Sequence, residues 1–156
     1  MAQAVGETIL KWLATTQWPM TGTPLDALAT VTYSALLNEL DLTTLTPDGI
    51  VDLLISAKVV TGAGALGSNP FCAVFAAGRA DGTNYPDNLN YNRVGQGIVV
   101  AAVSTTYYGP KYSLAAAFGG VLPRYVKPAL FNRTGATLGN GSLLYYEPVY
   151  PMTKLS

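Results

Sequence analysis

The sequence predicts an all-β protein, folded as an antiparallel β-sandwich of about eight strands. Gly, Pro, Asn and Asp recur as turn signals along all 156 residues, because Gly supplies positive φ and Pro presets φ. Most stretches between these signals are short and rich in Val, Ile, Thr, Tyr and Phe, which is typical of a sandwich or barrel. We therefore expect one domain over residues 1–156, with residues 1–28 as an extended or helical N-terminal arm.

Seven segments between the turn signals are predicted strands. In the second, apolar residues at every odd position from Val51 to Val59 would share one face. In the last, Leu144 and Tyr146 share a face, and the alternation of apolar residues changes phase near Pro148. Pro128 interrupts the sixth, which predicts an edge strand or a bulge there. The seven segments are Thr30–Leu40, Ile50–Val60, Phe71–Arg79, Gly97–Thr105, Tyr112–Phe118, Tyr125–Asn132 and Ser142–Tyr150.

Three segments have patterns that fit more than one element. Residues 5–17 place apolar side chains at helical spacing, so a short N-terminal helix is an alternative to a strand. Residues 28–40 fit both the helical and the strand period. Ser113–Leu122 could form a helical turn ended by Gly119-Gly120 instead of a strand.

The chain carries few charges. Only 12% of its residues are Asp, Glu, Lys or Arg, against about 25% in average domains, so its surface is either polar and uncharged or covered by other protein. The nine basic residues are scattered along the sequence, so we expect no nucleic-acid partner. The longest apolar runs are far shorter than a membrane-spanning helix, and the N-terminus lacks the basic start of a signal peptide.

Catalytic and metal-binding residues are not indicated. The chain has no His, the commonest general base and metal ligand, and its one Cys, Cys72, lies in an apolar run typical of a buried side chain. The nearest carboxylate pairs are Glu39 with Asp41, Asp48 with Asp52, and Asp81 with Asp87, and turn or surface roles are favoured for all of them. We expect no enzyme activity, no cofactor and no metal.

Aromatic residues are the best candidates for a binding surface. The two Tyr pairs at 107–108 and 145–146 would each direct one ring to either side of a sheet, so one of each pair should face outward. The two Trp residues could anchor the N-terminal arm on a neighbour, with burial in the core as the alternative. The candidate interface residues are Trp12, Trp18, Tyr107, Tyr108, Tyr145 and Tyr146.

Several stretches resemble small structural proteins of tailed bacteriophages. Phe71–Asp87 is similar to their strand followed by a DGTxYPD loop, and Ser113–Tyr125 to a second stretch. Phe131–Leu138 resembles their strand that runs into an N-x-T-G-A turn. Tyr33–Asp41 resembles, more loosely, their first strand. The resemblance spans roughly residues 30 to 150 in the expected order.

The resemblance implies a jelly-roll-like sandwich and a virion structural protein with no catalytic residue. The expected function is a capsid decoration or cement protein, made in the host cytoplasm and located in the virion. Its expected partners are the major capsid protein and copies of itself, in a homo-oligomer without nucleic acid or membrane. A tail, baseplate or fibre module is the first alternative. A carbohydrate-binding β-sandwich using exposed Tyr and Trp is the second, and a small hydrolase comes last because His is absent.

Overall fold

Two antiparallel sheets pack face to face in the structure, a computed structural model that describes residues 7–45, 49–79 and 84–154. The eleven strands of these residues are β1 (Glu7–Trp12), β2 (Thr16–Gln17), β3 (Thr32–Tyr33), β4 (Leu40–Asp41), β5 (Asp52–Val60), β6 (Phe71–Arg79), β7 (Asn92–Val99), β8 (Thr106–Tyr108), β9 (Tyr112–Ser113), β10 (Tyr125–Arg133) and β11 (Leu143–Lys154). One short helix, α1 (Leu114–Ala117), and two 3₁₀ turns (Leu42–Thr44 and Asn88–Asn90) complete them. Among the described residues, no helix has the length and apolar character needed to cross a membrane.

The strand order is that of a jelly roll. The first sheet runs β1-β11-β5-β8, with β2 also on β11 and β9 also on β5. The second sheet runs β3-β10-β6-β7, with β4 also on β10. When the collinear short strands are joined, eight strands remain, and the first pairs with the eighth, the second with the seventh, the third with the sixth and the fourth with the fifth. This is the connectivity of a double-sheet jelly roll, so the predicted fold is confirmed.

The core lies between the two sheets and follows the predicted alternation. Leu53, Ile55, Ala57 and Val59 on β5 are at most 3% exposed, while their sequence neighbours on the strand are half-buried. From the second sheet, Cys72, Val74, Ala76, Val126 and Leu130 meet them, each at most 6% exposed. Leu144 is fully buried and Tyr146 packs against the same cluster, as their shared face predicts.

Several predicted strands have different bounds or a different structure. Gly97–Thr105 is wrong for most of its length, because the strand is β7, which ends at Val99, and a loop follows. Tyr112–Phe118 forms two strand residues and then α1, so the alternative of a helical turn ended by Gly119-Gly120 is the correct one. Both glycines have positive φ, +76° and +104°, a backbone conformation that residues other than glycine rarely adopt. Thr30–Leu40 forms β3 and β4 with irregular chain between them.

The prediction of an edge strand at Pro128 is wrong, and the alternative, a bulge, does not occur in the β10–β6 register, which is continuous from Tyr125 to Arg133. Its strand, β10, lies between β6 on one side and β3 and β4 on the other. The Pro128 carbonyl accepts from the Leu37 amide at 2.8 Å, so Pro128 faces the side of β3 and β4. Because the chain there leaves the regular ladder between residues 33 and 40, the missing N–H of proline interrupts no regular pair.

The N-terminal segment joins the body of the sandwich as strands, and its described residues form no helix. β1 pairs along its whole length with β11. Trp18 and Leu25 are fully buried, and the Trp18 indole N–H donates to the Asn38 carbonyl at 2.9 Å. The described part of residues 1–28 therefore contributes one edge of the first sheet and part of the core.

The stretch resembling an N-x-T-G-A turn is closed by a buried amide. Asn132 is fully buried; its Nδ2 donates to the carbonyls of Leu28 and Ala136, and its Oδ1 accepts from the Thr134 amide. Gly135 has φ +90°, and a Cβ there would lie 2.2 Å from the Gly67 nitrogen. One polar side chain thus ties the N-terminal segment to the end of β10, and only glycine fits the turn that follows.

Candidate functional site

Three of the six predicted interface aromatics have structural roles instead. Trp18 is fully buried, so its assignment to an interface is wrong and the alternative of core burial is correct. Its ring meets that of Tyr146 edge to face, with centroids 5.5 Å apart. The Tyr107 hydroxyl accepts from the amides of Ala101 and Ala102 at 2.9 and 2.7 Å and so fixes the loop before β8.

The other three lie on separate strands of the first sheet. Trp12 on β1 is 58% exposed and Tyr108 on β8 is 75% exposed. Tyr145 on β11 is half-buried opposite Ser56, on the side of the sheet away from the core. As expected, each Tyr pair directs one ring outward, but the register does not place the three rings in adjacent positions.

A larger group of aromatic residues lies on the outer side of the second sheet. The Tyr33 ring centroid is 4.6 Å from that of Phe131, 5.1 Å from that of Phe75 and 5.8 Å from that of Tyr91. All four rings are half-buried. Phe71 lies two outward positions before Phe75 on β6, since outward positions recur every second residue. We call this surface, formed by Tyr33, Phe71, Phe75, Tyr91 and Phe131, the aromatic face.

Cations lie beyond both ends of the aromatic face, on the same side of the sheet. The guanidinium carbon of Arg79 lies 4.0 Å from the Tyr125 ring centroid. Those of Arg93 and Arg133 lie 5.5 and 5.7 Å from the Phe71 centroid. With Arg124 over Tyr125 and Lys127 over Tyr85, five of the nine basic residues, including all four arginines, contact rings on this side of the sheet. The strand register therefore brings basic residues that are far apart in the sequence to one side of the second sheet.

The loop of residues 84–91 covers one end of this side of the sheet. The Tyr85 hydroxyl donates to the Glu39 carboxylate, which also accepts from Arg79 at 2.8 Å. The hydrogen bond from Tyr85 holds the pKa of Glu39 below its ordinary value, and the nearby Arg79 adds to that shift against the effect of desolvation. Burial, helped by the neighbouring Glu39, raises the pKa of Tyr85 to about 12. The loop is therefore fixed by a charged hydrogen-bond cluster.

The other end of the aromatic face is open. Arg133, Phe71 and Val99 lie in register across β10, β6 and β7, and Val99 is 76% exposed. Arg93 donates to carbonyls of its own strand, at Gly95 and Gln96. Within the described part of the chain, Arg133 belongs to no ion pair. An aromatic ring between two exposed arginines is thus available to a partner.

The predicted carboxylate pairs are engaged locally where the structure describes them. Asp41 accepts from Thr43 and Arg124, and Asp52 accepts from the Ser113 hydroxyl and the Ala115 amide. Asp48 and Asp81 lie outside the described residues. No group of three or more His, Cys, Asp and Glu side chains that could hold a metal ion occurs in the described ranges.

Cys72 is fully buried between the sheets, as its apolar surroundings predict. Burial raises the pKa of its thiol to about 12, so the thiol stays protonated and unreactive. The space beside it, lined partly by Tyr112, has a volume of about 10 Å³, room for one water molecule at most. This part of the core therefore does not offer a binding site for a small molecule.

The sequence did contain a signal for the aromatic face. β6 is apolar on both sides, because Phe71, Ala73, Phe75 and Ala77 alternate with the core residues Cys72, Val74 and Ala76. A strand that is apolar on both sides is normally covered on both sides.

The chain significantly matches no protein-family model, no curated protein and no solved structure. Its function therefore has to be inferred from its fold and surface.

Proposed function

We propose that this chain is a virion structural protein, a decoration or cement protein of a phage head, and that its aromatic face binds the major capsid protein. The aromatic face is the observation that carries the proposal. Its open end combines Phe71 with Arg93 and Arg133, two exposed arginines. Aromatic residues and Arg are the residue types enriched in protein interfaces and in their energetic hot spots.

The dimensions of the surface suit a protein partner. Four strands spaced about 4.8 Å apart and nine residues rising about 3.3 Å each give an area of roughly 600 Å². A standard interface buries about 800 Å² on each partner, so the second sheet with its covering loop approaches that size.

The charges on this side favour an acidic partner surface. Glu39 and Asp41 are already paired with Arg79 and Arg124. Arg133 and Lys127 are in contact with rings and belong to none of the ion pairs of the described residues. The Arg133 and Lys127 side chains donate hydrogen bonds and cannot accept them. Carboxylates or carbonyl groups of the capsid protein would supply the acceptors.

The fold and the composition support the same proposal. Jelly rolls occur in viral capsid proteins, although they also occur in lectins and cupins, so the fold alone does not select a function. A charge content of 12% suits a protein whose surface is largely covered in an assembly.

The test is reconstitution on phage heads that lack this protein. We expect the purified chain to bind at a fixed ratio to the major capsid protein. Arg133→Glu and Phe71→Ala should each weaken binding about tenfold or more, because both change the open end of the aromatic face. Tyr108→Ala is the matched control, since it removes an exposed ring from the opposite sheet and should leave binding unchanged.

Other outcomes separate the alternatives. Absence from purified virions would refute a structural role. Binding to isolated tails but not to heads would support a tail, baseplate or fibre module. Binding to glycans that is lost in Tyr108→Ala, without binding to heads, would support the carbohydrate-binding alternative. Head binding that is unchanged in Arg133→Glu would place the contact elsewhere on the molecule. A thermal melt of each variant distinguishes lost contacts from lost folding.

A further inference from the structure

Among the strands of the described residues, β1 is an edge strand with a regular, unpaired side. The Leu13 amide donates to the Pro148 carbonyl on β11, and Leu13 and Pro148 follow the β1–β11 register. Alternation along an antiparallel pair then directs the backbone groups of Ile9 and Lys11 toward β11. The backbone groups of Thr8, Leu10 and Trp12 point away from the sheet, and β1 lies outermost in it.

The other three sheet edges are irregular. β7 carries a register shift and Gly97 at φ +99°, and Arg93 occupies two carbonyls of the same strand. The edge formed by β8 and β9 is interrupted at residues 109–111, which include Gly109-Pro110. β3 is two residues long and follows Val31, which has φ +57°, rare for a β-branched side chain. Bulges, breaks and short strands of this kind prevent further pairing, and β1 has none of them.

The side chains on the free edge of β1 are largely apolar. Leu10 is 50% exposed and Trp12 is 58% exposed. Lys11 lies between them and is also exposed. A regular edge with exposed apolar side chains favours pairing with another strand.

We propose that β1 pairs antiparallel with β1 of a second copy of this chain, across a two-fold axis at Leu10. Thr8 would then pair with the second copy's Trp12, and Leu10 with the second copy's Leu10. Three residue pairs with two hydrogen bonds each give about six backbone hydrogen bonds. The first sheet would continue through the dimer, as the symmetry of a self-complementary interface requires. The proposal does not depend on the proposed function.

The register favours a second copy of the chain. With the axis at Leu10, Lys11 lies opposite the second copy's Ile9, so no like charges face each other. An axis at Lys11 would instead place the two Lys11 side chains opposite one another, which is destabilising. The preferred register also places the apolar Leu10 side chain opposite Leu10 of the second copy, so two apolar side chains meet at the axis.

The experiment measures the mass of the full chain in solution by sedimentation. We expect a dimer at tens of micromolar. Leu10→Pro should give a monomer, because it removes an outward N–H and no hydrogen bond of the sheet itself. Leu10→Lys and Leu10→Glu should each give monomers, because like charges would meet at the axis. An equimolar mixture of these two variants should restore the dimer, since opposite charges would then meet there.

Val99→Lys is the matched control, because Val99 is 76% exposed on the irregular edge β7, and it should leave the dimer intact. A wild-type monomer at all concentrations would overturn the proposal. So would a dimer that survives Leu10→Pro, or charge variants that fail to form a mixed dimer although both are folded by circular dichroism.

Discussion

The outer faces of the two sheets differ in what they present to their surroundings. On β5 of the first sheet, Asp52, Ser56 and Lys58 alternate with core residues, which is usual for a face in contact with water. On β6 of the second sheet, every outward residue except Arg79 is apolar. Outward Ala73 and Ala77 are only 1% exposed, although they point away from the core. The comparison shows that the outer face of the first sheet mixes polar and apolar residues, whereas that of the second sheet is largely apolar on β6 and is partly covered by residues 84–91.

The largest expected effect is a difference in the free energy of unfolding between a variant on the aromatic face and a variant on the outer face of the first sheet. Phe75→Ala should lower the free energy of unfolding by about 2 kcal/mol, because the half-buried ring packs against Tyr33 and Phe131. Tyr108→Ala should change it by less than about 0.5 kcal/mol, because that ring is mostly exposed. Urea denaturation measures both. Equal losses would mean that the aromatic face does not contribute more to stability than the first sheet does.

An intermediate effect concerns acid stability. Lys111 and Thr15 bind the buried Glu147 carboxylate, and the hydrogen bond from Lys111 is the main reason that the pKa of Glu147 is below its ordinary value of 4.5. A lowered folded-state pKa adds stability that is complete above about pH 4.5 and is lost as the pH falls through the folded value. Glu147→Gln should therefore flatten the fall in melting temperature as the pH drops below about 4.5, because the folded-state pKa of Glu147 is lowered from that value.

Glu39→Gln provides the comparison for this effect on the other sheet. Glu39 also has a lowered pKa, but its side chain is 31% exposed against 10% for Glu147. Its removal should flatten the acid limb less, because solvent screens exposed charges more strongly. A larger effect from Glu39 than from Glu147 would contradict the assignment of the acid sensitivity to the first sheet.

The smallest effect is local and concerns the loop over the aromatic face. Glu39→Gln should make residues 84–91 open more often, because the Tyr85 hydroxyl and Arg79 both bind that carboxylate. Limited proteolysis should then cleave the loop several-fold faster, without loss of the sandwich. Asp41→Asn is the control, since Asp41 pairs with Arg124 instead of the loop. Equal cleavage in both variants would mean that the cluster does not fix the loop.

The sequence allowed three of the long strands to be predicted better than the short ones. β5, β6 and β10 lie within two residues of their predicted bounds, because turn signals flank continuous apolar or alternating patterns. β3, β4 and β8 contain two or three residues each and exist only beside a partner strand. Local sequence carries little information on such pairing.

The candidate site was predictable only in part. That one ring of each Tyr pair faces outward followed from strand alternation, whereas the exposure of Trp12 did not, because its segment has apolar side chains at helical spacing. The aromatic face did not, because the register joins Tyr33 to Phe131 across almost a hundred residues. The double-sided apolar pattern of Phe71–Arg79 was visible, but it does not specify what covers the second side.

The pairing of the first strand with the last has a consequence for folding. Among the strands that the structure describes within one chain, β1 pairs only with β11, so Glu7 must wait for Lys154 to be synthesised. Contacts between residues so distant in sequence form slowly, because a long loop has to close before any of them is made. During synthesis β1 therefore stays unpaired longest, and misassembly between chains is most favoured at that stage.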